Sequence, residues 1–209
     1  EIRAAKNRIE NIKQTLETKF LQKLGIVLPL VTLRKGAFAL EWKEFERWDT
    51  FFYREDFVNL EKQLKSMRHA PLGEILNFTS RTWKTSDFPE GTFQYIEISN
   101  VTKDEGIIGS KSIDVNKAPS RATTLLKEGD IILATTRHYL GAFTVVSEKY
   151  ANCVCSSGFA LADKIKIPDI KKDFLLFYLK SPAGLRQMER RMTGGLYPAI
   201  VKEELEKIL

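Results

Sequence analysis

Gly129-Asp130-Ile131-Ile132-Leu133-Ala134-Thr135 is the stretch on which the fold class turns, because a Gly-Asp turn signal runs directly into a short apolar run. A run of this length bounded by turn residues reads as a buried strand. The same texture repeats on both sides of it. Phe93 to Val101, Gly106 to Val115, Ala142 to Val146, Asn152 to Cys155 and Phe159 to Ile167 are apolar or alternating runs separated by Gly, Asp, Asn and Ser clusters. That is the pattern of a many-stranded sheet with tight turns. Ile107-Ile108-Gly109-Ser110-Lys111-Ser112-Ile113 predicts a hairpin with Gly109 at positive φ in its turn. Helical spacing follows the strands. Asp173 to Lys180 carries Phe174, Phe177, Tyr178 and Leu179, and Ser181-Pro182 supplies an N-cap and a first-turn proline for a helix that runs to Met192 and stops at Gly194-Gly195. The expected architecture is α+β: a twisted, largely antiparallel multi-stranded sheet with C-terminal packed helices.

Upstream, Ile2, Ala5, Ile9, Ile12, Leu16, Phe20 and Leu24 recur at steps of three and four with polar residues between them. They predict one long amphipathic spacer helix with a narrow apolar seam, packed on another helix of this chain or of a partner and ended by Gly25. Residues 26–70 form a connecting segment whose aromatic cluster, Phe45, Trp48, Phe51, Phe52 and Tyr53, is expected to be buried against the domain that follows. Helical spacing resumes there at Phe57, Leu60 and Leu64. The chain therefore divides into a spacer helix at 1–25, a connector at 26–70 and a domain at 71–209.

With 209 residues, 43% of them hydrophobic, the chain can bury a substantial core. Its longest nearly apolar stretch, Leu24 to Leu33, is about ten residues against the roughly 20 needed to span a bilayer, and Gly25 and Pro29 interrupt it. No secretory leader is visible. Cys153 and Cys155 lie two apart in a strand, share one face and bridge poorly, which fits a reducing cytoplasm. The 33 basic and 27 acidic residues give +6, too mild a balance to decide anything by itself. Local placement says more. Arg186, Arg190 and Arg191 crowd one short helix that runs into Thr193-Gly194-Gly195, and Arg137-His138 sits beside Tyr139. Phosphate and base contacts need such cationic points near aromatic groups, although solvated surface charge is the plainer explanation for any single residue.

Catalytic readings fail one by one. No two prolines are adjacent, so the Pro-Pro-aromatic element of a DNA adenine methyltransferase is missing. Gly106 to Ser112 lacks the adjacent Gly-Lys of a phosphate-binding loop. Ser156-Ser157-Gly158 lacks the glycine two residues before a nucleophilic serine. His69 and His138 lie in unrelated contexts, and two cysteines without further Cys or His at ligand spacing do not close a zinc site. Asp169-Ile170-Lys171 and Glu41-Trp42-Lys43 match the acidic-x-lysine end of many nuclease sites, but no partner acid is placed upstream with the expected strand context.

Four signposts in fixed order carry a resemblance: Tyr95-Ile96-Glu97-Ile98-Ser99-Asn100, Gly129-Asp130 before its strand, Cys155-Ser156-Ser157-Gly158-Phe159, and Thr193-Gly194-Gly195-Leu196-Tyr197-Pro198, with Tyr178-Leu179-Lys180-Ser181 ending a helix between the last two. Together they resemble the target recognition domain of type I restriction-modification specificity subunits, and a tryptophan-centred segment commonly precedes that domain in the family. The resemblance implies a non-catalytic, cytoplasmic DNA-binding protein reading one half of a split target. It further implies methyltransferase (modification) and restriction subunits as partners, S-adenosylmethionine on the methyltransferase rather than on this chain, and helix pairing with a second recognition half or second copy. The family usually continues into a proline-containing strand and a second long helix, so the chain is expected to be a fragment, half of a subunit, or the recognition part of a fused methyltransferase/restriction enzyme. A helix-mediated interaction domain that binds no DNA is the alternative of another class.

On this reading the candidate DNA contacts are Arg81 and Lys84 in the loop from Thr79 to Ser86, Lys111 at the hairpin tip, Arg121, the run Arg137, His138 and Tyr139, and Arg191, Thr193, Gly194 and Tyr197 around the double glycine. Each has a plainer role beside it: loop solvation for Arg81 and Lys84, solubility for Lys111, a structural ion pair for Arg121 or Arg191, core packing for Tyr197, and a helix stop for Gly194-Gly195. The arrangement requires the Arg137 and Gly194 regions to share one concave cationic face.

Overall fold

A computed structural model of the chain describes residues 2–31, 41–87, 90–194 and 198–209. The amphipathic seam folds as expected into a helix, α1 (Ile2–Lys23). Gly25, at φ +73°, ends it: the Ile26 amide donates to the Leu21 carbonyl at 2.9 Å and the Gly25 amide to Gln22 at 3.0 Å. This paired closure needs a left-handed residue at that point, and glycine adopts it without Cβ strain. Leu21 and Ile26, the two residues it brings together, are both buried against α2 (Glu55–Lys65). Phe20 packs edge-on to Phe174 and Phe177. Lys13 pairs with Asp104 at 2.6 Å, and Lys103 with Glu17 at 2.6 Å. Only this end of the rod is docked. Farther out, Ile2, Ile9, Ile12 and Leu16 are 53–76% exposed.

After α3 (Leu72–Ile75), ten strands follow among the described residues: β1 (Leu76–Thr79), β2 (Thr92–Ile96), β3 (Val101–Thr102), β4 (Gly106–Ile107), β5 (Lys111–Asp114), β6 (Ala122–Leu125), β7 (Ile131–Ala134), β8 (Phe143–Val145), β9 (Val154–Ser156) and β10 (Phe159–Ile165). Helices α4 (Lys172–Lys180), α5 (Pro182–Arg191) and α6 (Lys202–Leu205) close the domain. Strands first and packed helices afterwards is the α+β order expected. The strands divide into two four-stranded sheets, β1-β10-β7-β8 and β5-β2-β9-β6, with β3-β4 as a separate hairpin. Every pairing is antiparallel except β2 with β9.

All four residues of β7 are buried, as its apolar run requires. It sits inside the first sheet, whose face packs on Leu175, Leu179 and Met188 of the helices. The C-terminal segment returns to the start of the domain, where the Leu72 amide donates to Ile208 at 2.7 Å and the Gly73 amide to Glu206 at 2.8 Å. A smaller core of Trp83, Tyr95, Ala122 and Val154 lies on the second sheet.

Two expectations are corrected. The hairpin runs from Val101 to Ile107, with Gly106 rather than Gly109 at positive φ, and β5 pairs with β2 instead of with β4. Lys111 accordingly opens an outer strand and is not a hairpin tip. A Cβ on Gly106 would also lie 2.5 Å from the Thr144 hydroxyl, so backbone freedom and space both select glycine there. The aromatic connector is only partly buried. Phe52 and Tyr53 are covered, whereas Trp42 and Trp48 are 82% and 90% exposed and flank Phe45. Strands β1 and β6 carry no strong apolar alternation and escape a reading of the sequence.

Candidate nucleic-acid interface

Where the ends of β1, β6, β7 and the β9–β10 turn meet, the surface forms an open cleft of about 530 Å³. Phe78 and Phe159 contribute apolar wall, and Thr79, Ser80, Thr124, Thr135, Thr136 and Ser157 give it hydroxyls. Arg121 and Lys202 supply the positive charge.

The cleft is stitched together by backbone. The amide and hydroxyl of Thr135 both donate to the Gly158 carbonyl, at 2.8 and 2.9 Å. The Ile200 amide donates to Thr135 at 2.9 Å, and the Ser157 amide to Arg121 at 2.8 Å. Ala199 bridges Thr136 on one side and Thr193 on the other, exchanging bonds of 2.9 and 3.0 Å with Thr193. The segments leading into Arg137 and Gly194 therefore flank Ala199. Thr136 and Ala199, 63 residues apart in sequence, thus line the cleft together.

Arg137 begins a tight turn. Its backbone is left-handed (φ 51°, ψ 38°), a conformation that costs a non-glycine residue ~1–2 kcal/mol. Its side chain is exposed and makes no hydrogen bond or ion pair with the described residues. Tyr139 is 61% exposed. His138, between them, is buried, and the loss of hydration lowers its pKa to about 4, so the ring is uncharged. His138 is therefore almost wholly inside the fold, between two exposed neighbours.

Arg81 and Arg191 spend their donors inside the fold. Arg81 grips Asp130 with two nitrogens at 2.7 and 2.5 Å and also donates to the Leu125 carbonyl at 2.8 Å. Asp130 is 2% exposed, and its hydrogen bond holds the Arg81 pKa above the usual arginine value. Arg191 is buried among Glu46, Glu204 and Glu61 at 3.0, 3.1 and 3.2 Å. Burial opposes its charge, but the carboxylates outweigh that and raise its pKa. Arg190 pairs with Glu61 and lies 4.0 Å over the Phe52 ring, which Arg47 also covers at 4.1 Å. The arginine-rich helix is thus an internal clamp between α5, the connector and α6.

The other expected contacts are dispersed. Arg121 and Lys84 are exposed, with Arg121 on the cleft and Lys84 two residues from Thr82, which bridges Thr124. Lys111 pairs with Glu97 at 2.8 Å and does not line the cleft. Thr193 and Gly194 are exposed. Tyr197 lies outside the described residues. The cleft hydroxyls and Lys202 escaped the sequence reading, because scattered Thr and Ser carry no signal until the strand ends are brought together. Among the described residues no cluster of three or more His, Cys, Asp or Glu side chains could hold a metal, and no helix is long and apolar enough to cross a membrane.

No family model matches the sequence, and no curated protein does. Solved structures do. The chain is similar to the HsdS subunit from Thermoanaerobacter tengcongensis, with 27% identity and a TM-score of 0.54 over 68% of this chain and 36% of that one. It is similar to the same extent to a chain from work on complex assembly and conformational transition of the type I R-M system. The chain spans about a third of the length of the structures it matches. The ordered sequence signposts and the three-dimensional likeness point the same way: the chain is similar in fold to specificity subunits of type I restriction-modification systems.

Proposed function

We propose that the chain reads one half of a split DNA target for a type I restriction-modification system. The observation that supports this is the Thr136–Ala199–Thr193 junction, in which Thr136 and Ala199 line a hydroxyl-bearing cleft with Arg121 and Lys202 while the exposed Arg137 follows Thr136 and the exposed Thr193 pairs with Ala199. In this reading Arg137 donates to base edges in the major groove and Tyr139 packs beside them, while Arg121, Lys202 and Lys84 meet phosphates. Arg81, His138 and Arg191 support the surface from behind. The chain makes no bonds of its own. Methyl transfer belongs to modification subunits that carry S-adenosylmethionine, cleavage to a restriction subunit, and all of them work in the cytoplasm. The exposed seam of α1 supports helix pairing with a second recognition half or a second copy of the chain.

Fluorescence anisotropy with labelled duplexes tests the reading. With three phosphate contacts, log K should fall against log salt with a slope of roughly −3. Arg137→Ala should weaken binding to the selected target by about 1–3 kcal/mol and relax preference at one base position. Binding that ignores salt, or that Arg137→Ala leaves unchanged, refutes the proposal.

A further inference from the structure

The turn from Arg137 to Gly141 carries two unfavourable features in adjacent residues. Arg137 holds a left-handed backbone that a side chain disfavours. His138 is 4% exposed, and its Nδ1 is the one buried side-chain nitrogen or oxygen among the described residues that finds no hydrogen-bond partner. Stability alone would favour an apolar side chain for that space and a glycine for that backbone. Two such features side by side persist only where the surroundings over-determine them, and they gather at functional sites.

The surroundings do over-determine this turn. Its entry is tied by Thr135 and Thr136 to Gly158, Ile200 and Ala199. Its body is closed by the Leu140 amide donating to Arg137 at 2.9 Å and the Gly141 amide donating to His138 at 2.8 Å. Helix α5 packs against it, and Phe143, fully buried, anchors its exit. The result is an exposed, buried, exposed sequence at residues 137, 138 and 139, with the His138 ring edge-on to Tyr139 at 5.8 Å.

We infer that His138 is a positioning residue for base reading: its buried ring is the root that keeps Arg137 in its left-handed backbone and sets Arg137 and Tyr139 outward, next to Thr136 of the cleft wall. The inference rests on the proposed DNA-reading function and assigns His138 no contact with DNA. It acts by filling space, so the strained Arg137 backbone and the burial of the ring carry this role, and the unpartnered Nδ1 is a cost to stability that the role does not use.

Three variants of the chain test this: His138→Ala empties the site, His138→Phe keeps a flat ring in it, and His138→Leu fills it without one. Duplexes enriched by the wild-type chain from a randomised pool give a selectivity ratio against a non-specific duplex, and hydrogen exchange at the Leu140 and Gly141 amides reports the turn without DNA. His138→Ala should lose about tenfold or more in selectivity, keep its salt-dependent non-specific binding, and lose protection at both amides. At least one filled variant should keep selectivity within about threefold of wild type. The inference is overturned if His138→Ala keeps its selectivity, if both filled variants lose as much as alanine does, or if amide exchange in His138→Ala is unchanged. A wild-type chain that selects no duplex at all defeats the DNA-reading proposal itself, a result separable from unchanged exchange, which defeats only the positioning role.

Discussion

Breaking the Arg81–Asp130 pair distinguishes a structural arginine from a base-reading one. Asp130 is 2% exposed and accepts three hydrogen bonds, two from the Arg81 guanidinium and one from the Lys127 amide at 2.7 Å. Asp130→Asn replaces an acceptor oxygen by a donor that faces donors. It strands a guanidinium that is only 21% exposed. Removing one partner of a buried pair costs about 3–5 kcal/mol, because the remaining charge cannot recover its hydration. For a chain of this length that lowers Tm by roughly 6–20 °C. Arg81→Met, which keeps the stem and removes the fork, should cost at least as much as Asp130→Asn, because it strands the more deeply buried charge with the Lys127 amide as its remaining donor among the described residues. The double variant Arg81→Met with Asp130→Asn should be more stable than the sum of the two single losses predicts, by about 1–3 kcal/mol. Urea denaturation of the four proteins completes the cycle. DNA selectivity of Arg81→Met, measured well below its melting point, should stay near wild type. Additive losses, or a stable Arg81→Met that no longer discriminates between duplexes, would show that Arg81 works on DNA and that the pair is incidental.

Three further outcomes follow from the packing. His138 binds its proton more weakly folded, at about 4, than in an unfolded chain, near 6.5, so its contribution is fully present above about pH 6.5 and is lost as pH falls toward 4. The difference is about 3 kcal/mol, and denaturation curves from pH 7 to 4 should show His138→Phe losing less stability over that interval than wild type. Gly184→Ala places a Cβ 2.6 Å from the carbonyl oxygens of Leu179 and Tyr178, and thermal melts should record a loss of about 1–3 kcal/mol. Ile9→Ser with Ile12→Ser should leave the stability of the isolated chain within about 0.5 kcal/mol, since both residues are more than half exposed, yet should abolish any self-association or helix pairing seen by sedimentation.

The amino-acid sequence by itself determined what depends on local spacing. The seam of α1, the Gly25 stop, the buried run of β7 and the Ser181-Pro182 start of α5 each follow from periodicity or from one residue's backbone preference, so neighbours in sequence were sufficient. Tertiary structure alone decided which charges remain available. Arg81 and Arg137 look alike in sequence, but Arg81 meets a buried carboxylate 49 residues away while the Arg137 side chain makes no hydrogen bond or ion pair among the described residues. Arg191 reads as a cationic contact until Glu46 and Glu61, from a distant connector, close around it. The hairpin turns at Gly106 rather than Gly109, with β4 paired to β3 and β5 to β2 across a longer separation. The cleft itself rests on Ala199, a residue without chemical signal, whose backbone joins two distant segments. Pairings across such separations depend on which strands and helices the chain brings together, and that is a property of the packed whole rather than of any segment.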